Sequence, residues 1–155
     1  MDIALLKKKY ILFQKKYKLP DFKKLNEDFE IDKIERDSDC FLRVIRKAMM
    51  EKIVNSIGFL EMLLNPVNAP RIYFPYFKSI TLEDKNEIEL IYGKLGDLSL
   101  DSLSLEVGYS EKEEAKLIKK TFEVWNSVKS SFNKIVEHIK KPSNTVLRKE
   151  KSYFG

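Results

Sequence analysis

Wound as a helix, the stretch Cys40–Leu64 is apolar around most of its circumference, and this constrains the possible folds more than any other feature. At about 100° per residue, Phe41, Leu42, Val44, Ile45, Ala48, Met49, Ile53, Ile57, Phe59, Leu60, Leu63 and Leu64 spread over an arc of roughly 240°. A surface helix shows one apolar stripe, whereas this one needs neighbours on two or three sides. It is the expected central, most buried helix of an all-α domain. It is no membrane span, because Arg43, Arg46, Lys47, Glu51, Lys52 and Glu61 interrupt every window of about 20 residues that a bilayer helix requires.

The partners of that helix are found on either side. Residues 2–18 carry Ile3, Leu6, Tyr10, Phe13 and Tyr17 at spacings of three and four, which predicts an amphipathic helix. Its other half holds Lys7, Lys8, Lys9, Lys15, Lys16 and Lys18, interrupted by Leu5 and Leu12. Leu19-Pro20 ends it, and Asp21 is placed to cap a short helix running to about Glu27. Residues 29–39 are acidic and aperiodic and read as an irregular connector; Asp37, Ser38 and Asp39 offer caps for the central helix.

From Pro66 to Pro75, three prolines within ten residues exclude a regular helix, while Tyr73, Phe74, Tyr76 and Phe77 crowd together beside Arg71. A connection of about 15 residues without its own secondary structure is uncommon in a compact domain and is often functional. From Thr81 the pattern is helical again, with Ile88, Ile91, Tyr92, Leu95, Leu98, Leu103 and Leu105 on one stripe to about Val107. The second half of this segment also alternates like a strand, but no second strand is available to pair with it. Gly93, Gly96, Ser99 and Ser102 would admit a close neighbouring helix or mark a kink. Gly108 stops the segment, and Ser110 with Glu113 forms a capping-box pattern for a last helix. Its expected seam is Ile118, Phe122, Trp125, Phe132, Val136 and Ile139, with Leu117, Val124, Val128 and Ile135 on the flank; Lys129 interrupts the seam and is expected to snorkel.

These segments predict a single helical domain over residues 1–141, a four-helix up-and-down bundle with an extra short helix and a long proline and aromatic loop. Residues 142–155 are expected to be a flexible basic tail, with Val146, Leu147, Tyr153 and Phe154 as a docking peptide. The net charge of +5 is unevenly spread. Residues 1–24 carry eight lysines against Asp2 and Asp21, a balance of +6; residues 140–155 have a balance of +4, which leaves the body near −5. Basic ends on an acidic body suit solubility, a polyanion or an acidic partner. One cysteine cannot close an internal disulfide, and the first apolar run is too short for a signal peptide, so the expected compartment is the cytoplasm.

Catalytic patterns are not legible. There is one histidine, His138, on the polar side of the last helix, with Ile135 where a di-iron Glu-x-x-His would need an acid. Cys40 has no base near it in sequence and reads as a buried thiol. Gly93-x-x-Gly96 precedes Asp97 instead of a phosphate-binding lysine, and Asp37-Ser38-Asp39 is better explained by capping than by a metal. No enzyme, cofactor or metal is therefore expected. Two readings remain. One is a helical adaptor that presents Arg71, Tyr73, Phe74, Tyr76 and Phe77 to a protein partner. The other is a nucleic-acid-binding or ribosome-associated protein that uses Lys7, Lys8, Lys9, Lys15, Lys16 and Lys18 together with Arg148, Lys149 and Lys151.

Overall fold

The central helix of the chain, α3, runs from Phe41 to Leu64 and is buried on the sides of Leu42, Ile45, Met49, Ile53, Leu60 and Leu63. It belongs to a computed structural model that describes residues 1–141, all-helical among those residues. Around it stand α1 (Ile3–Tyr17), α2 (Phe22–Phe29), the one-turn α4 (Phe74–Phe77), α5 (Leu82–Ser104) and α6 (Glu111–Lys140). The main packing is of α3, α5 and α6 on one another.

Side-chain contacts fix the directions of these three. Arg46, near the start of α3, meets Ser102 at the end of α5 and Glu114 at the start of α6. Phe59 and Phe132, toward the ends of α3 and α6, meet at 5.8 Å between ring centroids, and His138 of α6 reaches Asp84 of α5. Thus α5 runs antiparallel to both α3 and α6. α1, α2 and a 3-10 turn at Ile31–Lys33 close the same core, with α2 placing Phe29 against Trp125 of α6. Tyr10, Phe22, Leu25 and Ile31 are buried there, and the Tyr10 hydroxyl donates to the Pro20 carbonyl at 2.7 Å.

Local chemistry sets the helix ends. Asp2 and Asp21 cap α1 and α2 by accepting backbone N–H bonds, and Thr81 with Asp84 makes a reciprocal capping box for α5. Lys18 and Glu30 close α1 and α2 in the left-handed region (φ 56° and 51°). Lys141 follows the last turn of α6, where the sequence places Pro142.

Several expectations are corrected. Among the described residues no side chain caps α3: its N-cap is Cys40, whose N–H donates to Ser38 Oγ, while Asp37 serves Lys9. At α6 only the Ser110 half of the capping pair is made. The buried face of α6 is centred on Glu114, Ile118, Thr121, Trp125, Val128, Ile135 and Ile139; Phe122, Phe132 and Val136 are half-buried. Lys129, at the edge of that face, pairs with Asp28 of α2 at 3.3 Å. Residues 98–107 are helical throughout, ending in a 3-10 turn at Leu105–Val107, yet Leu103 is exposed. Gly93 and Gly96 face open space: a Cβ on either would meet nothing within 4 Å, so no neighbour among the described residues needs them small.

Candidate partner-binding surface

The connection from Asn65 to Thr81 folds as its prolines dictate. Each proline can open a short helical turn but cannot sit inside a long one. The result is 3-10 turns at Pro66–Asn68 and Arg71–Tyr73, followed by α4, with Pro66 as the first residue of its turn, Pro70 as the N-cap of the next and Pro75 as the second residue of α4. The segment expected to lack secondary structure is thus a run of single turns. α4 packs on α6.

These turns divide the aromatic residues. Tyr76, Phe77 and Ile80 are half-buried against the core, and Ser79 Oγ donates to the Tyr76 carbonyl at 2.8 Å, tying down the exit of α4. Arg71, Tyr73 and Phe74 are exposed. Ile72, next to Arg71 in the same turn, is 74% exposed, and Val67 in the preceding turn is 82% exposed. Phe74 leans on Phe77 at 6.2 Å between centroids. Of the five residues predicted to bind a partner, three present themselves and two anchor the presentation.

The predicted polyanion set is also divided. Lys9 Nζ lies 2.6 Å from Asp37 and 5.1 Å over the Phe41 ring, and Lys16 Nζ lies 2.7 Å from the Glu111 oxygen that also accepts the Tyr17 hydroxyl. Lys9 and the Ser38 N–H hold the Asp37 carboxyl below the usual range; Lys16 and Tyr17 do the same for Glu111. The Glu111 bond in turn pushes Tyr17 and Lys16 up. Lys7 stands 5.9 Å from the Phe22 ring. Lys8, Lys15 and Lys18 are exposed. Arg148, Lys149 and Lys151, like the docking peptide expected around Tyr153, lie outside the described residues.

The most elaborate polar cluster was not foreseen. Arg46 and Glu114 are both fully buried. Arg46 Nε donates to Glu114 Oε2 at 2.5 Å, Nη1 to Ser102 Oγ at 2.5 Å, and Nη2 to Glu106 at 2.9 Å and Glu114 Oε1 at 3.2 Å. Arg43 adds a bond to Glu114 at 3.0 Å and reaches the Leu105 and Gly108 carbonyls. Burial works against the charge on Arg46, but the two carboxylates outweigh it and its pKa is raised; Arg46 in turn lowers that of Glu106. Every donor group of Arg46 is engaged, so the cluster holds three helices in register and offers nothing to a ligand. The one available signal was Arg43 and Arg46 at i, i+3 on a helix that is apolar around most of its circumference.

An open groove of about 900 Å3 lies between the Asp28–Arg36 segment and α3, floored by Phe29, Val44, Ala48, Phe59 and Phe132 and rimmed by charges of both signs. His138 is 2.9 Å from Asp84, which fastens the end of α6 to the start of α5. Cys40 is half-buried, more open than expected. Among the described residues, no three His, Cys, Asp or Glu side chains are grouped to hold a metal ion, and no helix is long and apolar enough to cross a membrane. Neither the known protein families, nor the curated proteins, nor the solved structures compared with this chain contain a match to it.

Proposed function

We propose that the chain is a non-enzymatic helical adaptor, with its four long helices running up and down as a scaffold, that presents the Arg71–Phe74 turn to a protein partner. One observation carries this reading: Tyr76 and Phe77 are packed against the core while Ile72, Tyr73 and Phe74 beside them are held outward on a turn fixed by prolines. Arg and aromatic side chains are the types that most often anchor interfaces, and a turn already ordered loses less entropy on binding.

Affinity purification from the native cell, with wild-type and variant baits and with and without nuclease, tests the reading. Tyr73→Ala with Phe74→Ala should leave the melting temperature close to wild type and remove a nuclease-resistant partner. Tyr76→Ala should lower stability by about 1–3 kcal/mol, the usual cost of truncating a half-buried aromatic. An unchanged partner set with the Tyr73 and Phe74 variant would refute the adaptor reading. Partners that disappear with nuclease alone would favour the nucleic-acid reading.

A further inference from the structure

The outward side of α1 carries a pattern that the adaptor reading leaves unused. Leu5 and Leu12 are 52% and 66% exposed although they are seven residues apart on one helix face. At about 100° per residue, Lys8 and Lys15 stand roughly 60° to one side of them and Lys9 and Lys16 roughly 40° to the other. Lys9 and Lys16 are paired with Asp37 and Glu111; Lys8 and Lys15 have no carboxylate partner among the described residues. The acids nearest in sequence, Asp2 and Asp21, are occupied as helix caps. The result is a convex crest of leucine between rows of lysine.

Charge limits what can cover it. A second α1 would set lysines against lysines, and residues 142–155 of the same chain, with Arg148, Lys149 and Lys151 against Glu150, are also basic. The occupant is anionic. A nucleic acid would press phosphates on the exposed leucines and gain nothing from them, and an acidic protein would have to supply a groove shaped to a convex ridge. A lipid surface conforms to the ridge: its headgroup phosphates and carboxylates meet the ammonium groups while the acyl boundary takes the leucines.

We propose that α1 docks this chain on an anionic membrane surface, lying along the interface with Leu5 and Leu12 toward the acyl region and Lys8 and Lys15 among the headgroups. The proposal concerns a face of α1 and stands apart from the Arg71–Phe74 turn.

Sedimentation of the full chain with vesicles of about 70:30 phosphatidylcholine and phosphatidylserine tests it, with phosphatidylcholine alone as the control. Binding is expected only to the anionic vesicles and should weaken with added salt. Lys8→Gln with Lys15→Gln should lower the partition coefficient roughly thirty-fold, about five-fold for each lysine. Leu5→Ser with Leu12→Ser should lower it about ten-fold. Unchanged thermal melts of both double variants identify the loss as one of binding, since all four side chains are exposed. Absence of binding to anionic vesicles overturns the proposal, as does binding that neither double variant weakens. Tighter binding to a single-stranded RNA than to vesicles, with the leucine variant binding as wild type, also overturns it and assigns the lysines to nucleic acid.

Discussion

Arg46 shows how much of this fold depends on single side chains. Its guanidinium is buried and donates to Glu114, Ser102 and Glu106, residues from the end of α5, the turn after it and the start of α6. Removing one member of a buried ion pair leaves the other charged without adequate solvation, which costs about 3–5 kcal/mol. Arg46→Leu is therefore expected to lose that much in urea denaturation. Arg46→Lys should recover only part, because an ammonium cannot reproduce the planar fork that serves both Glu114 oxygens. A leucine variant within about 1 kcal/mol of wild type would mean that Arg43 alone satisfies Glu114.

At the scale of elements, the two faces of α5 differ in how firmly their residues are required. Ile88, Ile91, Leu95 and Leu98 are buried against its neighbours, whereas Gly93 and Gly96 sit on the open side. Glycine inside a helix costs roughly 0.5–1 kcal/mol relative to alanine, chiefly in backbone entropy. With nothing within 4 Å of an added Cβ, Gly93→Ala and Gly96→Ala should each raise the unfolding free energy by that amount. Destabilisation by either substitution in the purified protein would show that another chain packs closely there. The proline-broken connection behaves differently: its turns are short, so packing of Tyr76, Phe77 and Ile80 holds it in place, and truncating those residues acts on the whole segment.

For the molecule as a whole, four carboxylates with lowered pKa join separate parts of the chain: Asp37 to α1, Glu111 to α1, Glu106 to α3 and Asp84 to α6. At Asp37, Glu106 and Glu111 the partner lysine or arginine is the main cause; at Asp84 burial raises the pKa but bonds with Thr81 and the charge of His138 outweigh it. A carboxyl whose pKa is lower in the folded chain contributes stability that is present in full above its unfolded value and is lost as pH falls through the folded one. The ordinary values are 3.8 for Asp and 4.5 for Glu. The urea midpoint should therefore hold steady from about pH 7 to 5 and fall progressively below about 4. Asp84→Asn should make that acid limb shallower. A midpoint that rises on acidification would contradict the assignment.

The sequence by itself determined that the described residues are all-helical, that the helix after Cys40 is the most buried of them, and that breaks fall at Pro20 and Pro66. These follow from apolar period, capping residues and proline, all readable within a few turns of one helix. Only the tertiary structure decided which acid meets Arg46, 68 residues away from Glu114, which side of α6 faces inward, and which aromatics of the 71–77 segment remain outside. The flank positions Leu117, Val128 and Ile135 are buried in place of part of the expected seam, and the side of α6 that faces inward is the one on which Glu114 meets the two arginines. Periodicity states that a helix has an apolar side but not how far the helix is turned or slid along its neighbour; pairing a buried charge constrains both, since leaving it unmet costs more than repacking a few aliphatic side chains.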